Sequence, residues 1–243
     1  MQAFATTRSW VRSRPGPDRM LVRSWNVFHG NACPPERRDF LADMIRLATA
    51  DRPDILCLQE LPVWSLRWLG EWSGMTAVGD VAARPLLPAQ LAKAITDLHH
   101  GLFRSAFTGQ ANAILLAHGL QAVEHRVVEL ERSERRICQG VLLEGGVALA
   151  NLHASGGRRG SGEDELRRAV ALLDSLRGEV EILAGDFNLR PRLDGFPPPG
   201  PGIDHVLVRG APAGPIEQWP IERRTLNGRV LSDHAPVEIH VDL

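Results

Sequence analysis

Two short polar bursts close apolar runs in this chain, Ala184-Gly185-Asp186-Phe187-Asn188 and, further on, Leu231-Ser232-Asp233-His234-Ala235-Pro236. Each sets a carboxylate, amide or imidazole where a strand should stop. Strand ends are the rigid positions from which open α/β sheets present reactive groups beneath variable loops. Trp25-Asn26-Val27, Leu58-Gln59-Glu60 and Asn151-Leu152-His153 come earlier, and Ile203-Asp204 lies between the two bursts. This mixture suits metal-assisted hydrolysis of a phosphate ester. Such a reaction needs a cation to neutralise oxygen charge, an aligned water, and donors for the phosphoryl oxygens.

Glu60 ends an apolar run and is the first candidate for a metal ligand, because Mg²⁺ takes one or two protein carboxylates and keeps several waters. Read alone, it is more simply a surface glutamate just past a strand. Asp186 and Asn188 are two apart, so extended backbone points them the same way. The carboxylate would orient or deprotonate water while the amide donates to a phosphate oxygen; an Asp-x-Asn turn before Pro191 is the plainer alternative. Asp204 and His234 form a candidate dyad in which the acid holds one ring nitrogen protonated and leaves the other to take a proton from water. Asp233 would bind metal or steer the nucleophile. His153 would donate to a phosphate oxygen or protonate the leaving group, with Asn151 on the same face to orient it. Asn26 and Asn112 are amides able to contact metal-bound water or phosphate. His205 should point away from Asp204 across its strand, and reads as structural.

These residues must be positioned by a framework, and the chain supplies one. Strands are expected at Leu21 to Val27, Asp54 to Gln59, Ala111 to Ala117, Gln121 to Leu130, Glu181 to Ala184, Ile203 to Val208 and Pro236 to Val241. Arg136 to Leu143 and Val147 to His153 read as a hairpin joined through Glu144-Gly145-Gly146. Helical spacing of apolar residues marks Glu36 to Ala50 and Glu163 to Arg177, and a further helix is expected over Gln90 to His99. Trp64, Trp68 and Trp72, also at helical spacing, should pack a helix against a sheet. A proline-rich loop runs from Pro191 to Pro201. Strands outnumber helices and no internal repeat is visible. The pattern predicts two packed mixed sheets with helices outside, in one domain over residues 20–243.

Residues 1–19 differ from the rest. Arg8, Arg12, Arg14, Pro15 and Pro17 with no apolar h-region argue for a disordered tail rather than a secretory signal, and translation could begin at Met20. At 243 residues the chain can bury a substantial core. Its formal net charge of −1 gives no global reason for tight nucleic-acid binding. Cys33, Cys57 and Cys138 lack metal-ligand spacing and do not pair evenly, which with the absence of a long apolar stretch points to a cytoplasmic, reduced setting. No obligate protein partner is evident.

The ordered set of motifs resembles the endonuclease/exonuclease/phosphatase superfamily, the deoxyribonuclease I-like fold. The resemblance rests on Ser24-Trp25-Asn26-Val27, Pro53 to Glu60, Gly109 to Leu115, Asn151-Leu152-His153, Gly185 to Asn188, Ile203-Asp204-His205 and Ser232 to Pro236, and so spans the chain after the tail. It implies a four-layer α/β/β/α sandwich with a cleft at one end of the two sheets. It implies Mg²⁺ or Mn²⁺ at Glu60 with Asn26 close by and Asp233 as a second acidic contact. It also implies Asp186 and Asn188 at nucleophile and phosphate, His153 stabilising charge, and Asp204 supporting His234 as base. Phe28 stands where abasic-site endonucleases of the superfamily usually carry an acid or amide, and the chain has no tyrosine. Both departures disfavour that branch.

The expected activity is therefore a phosphodiesterase acting on a phosphodiester, with nucleic acid among the candidate substrates. Gly156-Gly157-Arg158-Arg159-Gly160 after His153 would hold additional phosphates. A phosphomonoesterase or phospholipid-head-group hydrolase with the same metal centre is the alternative. A binding module without activity is the reading from another class; it is disfavoured because Glu60, Asp186, Asn188, Asp204, Asp233 and His234 are all retained.

Overall fold

The computed structural model describes residues 19–36, 38–88, 90–91, 107–156 and 161–243. Strand β1 (Arg19–Asn26) leads through a 3-10 turn (Phe28–Gly30) to β2 (Ala32–Cys33) and helix α1 (Leu41–Thr49). Strand β3 (Ile55–Leu61) follows, then a 3-10 turn (Val63–Trp68), helix α2 (Leu69–Ser73) and β4 (Thr76–Ala83). Next come β5 (Gln110–Leu116), β6 (Ala122–Glu131), β7 (Arg136–Leu143), β8 (Val147–His153), α3 (Ser161–Ser175), β9 (Val180–Asp186) and β10 (Asp204–Arg209). The chain ends with β11 (Glu217–Gln218), β12 (Thr225–Leu226), β13 (Arg229–Leu231) and β14 (Val237–Asp242).

Six strands form one sheet in the order β11-β14-β1-β3-β5-β4, and five form a second in the order β10-β9-β8-β7-β6. Both are mixed: β1 with β3 and β8 with β9 are parallel, and the other pairs are antiparallel. A small sheet, β12-β13-β2, lies beside them. Alternation along each strand splits its side chains between two faces. Met20, Val22, Ile55, Cys57, Ile114, Val141, Leu149, Ile182 and Val206 fill the space between the large sheets. Leu56, Leu58, Ala113 and Leu115 pack outward against Leu41, Met44 and Ile45 of α1 together with Trp64, Trp68 and Trp72. On the other outer face Ala148, Ala150, Leu152 and Leu183 meet Leu166, Leu173 and Leu176. The result is the expected four-layer sandwich.

Helix α1 begins at Leu41, later than the periodicity from Glu36 implies. The Phe40 N–H donates to the Gly30 carbonyl and the Leu41 N–H to Asp39 Oδ1, so the residues before Leu41 are held to the β1–α1 connection instead of the helix. Strand β4 and the β12–β13 hairpin were not expected. β4 edges its sheet and alternates exposed and partly buried residues around Gly79 and Asp80, so it carries no apolar run. The helix expected over 90–99 lies outside the described residues except for its first two. No helix among the described residues is long and apolar enough to cross a membrane.

The inter-sheet layer changes character along the strands. Beyond its apolar end, Gln59 Nε2 donates to Asn151 Oδ1 at 2.7 Å and to Ser24 Oγ at 3.1 Å. Asn151 Nδ2 donates to the carbonyls of Leu58 and Ala113, and Gln139 Nε2 donates to Asp80 Oδ2. These buried amides tie the sheets together directly beneath the ionisable end. A bond of this kind contributes about 1 kcal/mol net, whereas deleting one partner and stranding the other costs about 1–3 kcal/mol.

Candidate active site

Sheet register brings the reactive residues together. His153 on β8 and Asp204 on β10 are the direct cross-strand partners of Asp186 on β9. On the facing sheet Asn26 pairs with Gln59, the residue before Glu60. The close approach of β8 and β9 depends on Gly185, since a Cβ there would lie 1.9 Å from the Leu152 carbonyl oxygen at a backbone φ of +142°. Backbone strain gathers at the same edge. Phe28, His29, Glu60, Asn188 and Ser232 all have φ between 46° and 60°, a region that non-glycine residues seldom adopt and that concentrates at functional sites.

Asp186 is the hub. Its Oδ2 accepts Asn26 Nδ2 at 3.0 Å, and its Oδ1 accepts the Asn188 backbone N–H at 2.9 Å. His153 Nε2 and His234 Nε2 approach Oδ2 to 3.5 and 3.8 Å. Burial first, then the Asp204 charge, raise the Asp186 pKa to about 6 against the stabilising effects of His234, Asn26 and Asn188. His234 Nδ1 lies 2.8 Å from Asp204 Oδ2. Burial would lower the His234 pKa, but the bond to Asp204 and the charges of Asp204, Asp186 and Asp233 outweigh it and raise the value to about 9. The loop carrying His234 is pinned at its main chain, with Ser232 Oγ accepting the His234 N–H and Trp25 Nε1 donating to the His234 carbonyl at 3.0 Å.

The second histidine sits in the opposite environment. His153 is 2% exposed. Gln110 Nε2 lies 2.9 Å from its Nδ1, and Arg136 Nη1 lies 2.7 Å from each ring nitrogen. Burial, then the charges of Arg136, His234 and His29, hold its pKa well below the usual imidazole range. Two donors directed at one ring require a neutral imidazole that accepts. Arg136 is equally close to both nitrogens and does not choose between them; the carboxylates of Asp186 and, at 3.7 Å, Glu60 that face Nε2 favour the ring proton there, with Nδ1 accepting from Gln110. Glu60, Glu134, Arg136, His153, Gly156, Asp186, Asn188 and His234 line a cleft of about 400 Å³.

The structure thus gathers Asn26, Glu60, His153, Asp186, Asn188, Asp204 and His234 at one edge. Asp233 is exposed beside them. Asn188 Nδ2 donates to the Ala154 carbonyl. Two expected substrate contacts lie elsewhere. Asn151 is fully buried in the amide layer with both ends of its amide engaged, so it cannot reach a substrate, and Gln110 is the residue that contacts His153. Asn112, 1% exposed, donates to the Ile137 carbonyl and is not part of the cleft lining. Both amides sit too deep along their strands. Arg158 and Arg159 lie outside the described residues. Sequence reasoning missed Gln110, Arg136, Glu134 and His29; the two-residue step from Gln110 to Asn112 on one strand face was the available signal for the first.

The donors fit a hard cation. Among the described residues, the imidazoles of His29 and His153 lie 3.7 Å from the Glu60 carboxylate, and no lysine or arginine comes within ion-pair distance of it. Glu60, Asp186 and the Asn26 carbonyl are oxygen donors, the type that Mg²⁺ and Mn²⁺ prefer. Asp186, Asp204 and His234 also bring one donor atom each within 4.8 Å of one another. With Nδ1 bonded to Asp204 and Nε2 3.8 Å from Asp186, that trio is better described as a dyad facing a carboxylate than a chelate.

Residues 24–234 match the Endonuclease/Exonuclease/phosphatase family, and the chain belongs to it. Enzymes of this family are generally divalent-metal dependent. Solved structures agree on the fold. A humanized TDP2 of D. rerio carrying 14 mutations superposes with a TM-score of 0.63 at 17% identity, covering 93% of this chain and 100% of that one. A mannosyl-6-phosphatase from Bacteroides thetaiotaomicron gives 0.66 at 16% identity, covering 92% and 100%. An endonuclease/exonuclease/phosphatase from Beutenbergia cavernae gives 0.65 at 15%, covering 93% of this chain and 72% of that one. Comparison with curated protein sequences finds no match.

Proposed function

We propose that the protein is a divalent-metal-dependent phosphodiesterase that cleaves P–O bonds by attack of water. The observation that carries this reading is the convergence on Asp186, which touches Asn26, Asn188, His153 and His234 while Glu60 faces the same cleft. Glu60 would hold Mg²⁺ or Mn²⁺, with Asn26 beside it and Asp233 at the outer margin; the bound cation would neutralise phosphoryl charge and lower the pKa of coordinated water.

The chain's own groups divide the remaining work. Asp186, with a pKa near 6, is ionised at neutral pH and able to take a proton from water. This reassigns the base role that sequence reading gave to His234. With a pKa near 9, His234 is cationic at neutral pH, held by Asp204 and suited to stabilising negative charge on the phosphoryl oxygens. A nearby dication would lower both values without reversing their order. His153 Nε2–H and the Asn188 amide would donate to phosphoryl or leaving-group oxygens.

Charge balance favours a diester. Arg136 is the one guanidinium among the described lining residues, set against Glu60, Glu134 and Asp186. A monoanionic diester needs less compensation than a monoester dianion. The test compares diester and monoester substrates, including nucleic acid, with Mg²⁺, Mn²⁺ or chelator, in wild type and Glu60→Gln. Sugar phosphates belong in the set because one structural neighbour is named a mannosyl-6-phosphatase. Diester cleavage abolished by chelator and by Glu60→Gln is expected; monoester turnover exceeding it would overturn the diester assignment.

A further inference from the structure

We infer that His29 is a positioning residue for Glu60, fixing the carboxylate so that one oxygen faces the cleft and thereby setting cation affinity. The inference rests on the assignment of Glu60 as metal ligand made above.

β1 and β3 are parallel neighbours that end at the same sheet edge, where the Val27 N–H donates to the Gln59 carbonyl. The residues beyond the Asn26–Gln59 pair are therefore adjacent. Past that pair both chains enter left-handed backbone, His29 at φ 51° in the turn after β1 and Glu60 at φ 54° at the register shift within β3. Phe28 at 46° and Gly30 at 82° extend the left-handed run around His29, and Asn26 Oδ1, which accepts the Phe28 N–H at 3.0 Å, ties its start to the site. Two such conformations side by side persist only where surrounding contacts over-determine them.

The two oxygens of Glu60 are divided between two imidazoles. Oε1 lies 3.7 Å from His153 Nε2, and Oε2 lies 3.7 Å from His29 Nε2. His153 lines the cleft and His29 does not, so His29 meets the carboxylate from behind. Its side chain is 9% exposed against 20% for Glu60. At 3.7 Å, just beyond hydrogen-bond distance, the polar edge of the ring faces the carboxylate and limits its rotation. Partners behind a metal ligand that fix its orientation change metal affinity by about 10- to 100-fold when removed.

The experiment is Mn²⁺ titration by isothermal calorimetry of wild type, His29→Leu, His29→Gln, Glu60→Gln and the double variant, in the absence of substrate. Leucine keeps the buried volume without a polar tip, and glutamine restores a donor. We expect His29→Leu to weaken Mn²⁺ binding by about 10- to 100-fold, His29→Gln to recover most of it, and His29→Leu to add nothing in the Glu60→Gln background. Wild-type affinity in His29→Leu, or an equal further loss on top of Glu60→Gln, would overturn this inference alone. Wild-type affinity in Glu60→Gln would overturn the metal assignment and this inference with it. Should His29→Leu fail to fold, NMR of the wild-type His29 ring decides: its signals should shift on Mg²⁺ addition in wild type and stay fixed in Glu60→Gln, and a fixed signal in both overturns the inference.

Discussion

His153 and His234 approach the same Asp186 oxygen from different strands yet hold opposite charge states at neutral pH. His153 ends a fully buried strand beside a guanidinium and a primary amide, so burial and Arg136 keep it neutral. His234 sits on a loop facing three carboxylates, which overcome its burial and keep it cationic. Side-chain identity therefore says little about role here; the neighbouring charges divide one cleft into a neutral donor wall and a cationic wall. Asp186 between them has its pKa raised to about 6 by burial and the Asp204 charge.

The sharpest way to break this division is Asp186→Asn. It should lower turnover at saturating metal on the order of a hundred- to ten-thousand-fold and remove the acid limb of the pH–rate profile, which bound metal places below pH 6. An acid limb that survives in Asp186→Asn but disappears in a His234 variant would exchange the two roles. Next in size, His234→Gln should reduce turnover on the order of a hundred- to a thousandfold and abolish the alkaline limb, which bound metal places below pH 9. Its stability effect has a definite sign. The folded pKa of about 9 exceeds the ordinary value of 6.5, so the stabilisation is full below pH 6.5 and is lost as pH rises through about 9. The wild-type advantage in melting temperature over His234→Gln should be greatest at pH 6 and should shrink by pH 10.

The two walls were not equally legible. Asp186, Asn188 and His234 follow short apolar runs and Asp204 opens one, so residue type and position at a strand end revealed them together. The neutral wall depends on pairing across sheets. Gln110 and His153 are 43 positions apart; the step of two to Asn112 gives the face that Gln110 shares but not the histidine it meets. Arg136 opens a hairpin strand like any solvated arginine. Asn151 and Asn112 show the converse limit: alternation gives the face of a strand but not depth along it, and these amides fall in the buried layer beneath the cleft. The sandwich was readable because most strands pack on both faces and appear as apolar runs. Edge strand β4 and the two-residue strands do not, having too few buried positions to form a pattern.

Asp204→Asn tests how the cationic wall is held. Turnover should fall about tenfold, with Mn²⁺ affinity nearly unchanged and the His234 pKa moved down from about 9, since the hydrogen bond and charge of Asp204 are its leading raising causes. NMR titration of the ring reads the shift, and calorimetry reads the metal. Comparable losses in both activity and Mn²⁺ affinity would place Asp204 among the metal ligands instead.

The smallest effect belongs to the neutral wall. Gln110→Leu removes the donor that pins His153 Nδ1 as an acceptor. Arg136 remains beside the ring and burial is unchanged, so His153 should stay neutral and its ring signals should remain flat from pH 6 to 9. What is lost is the preference for the tautomer with its proton on Nε2. One hydrogen bond worth about 1 kcal/mol corresponds to about a fivefold reduction in turnover. A titration of His153 appearing near neutrality in Gln110→Leu would show that the amide, rather than burial and Arg136, keeps that wall uncharged.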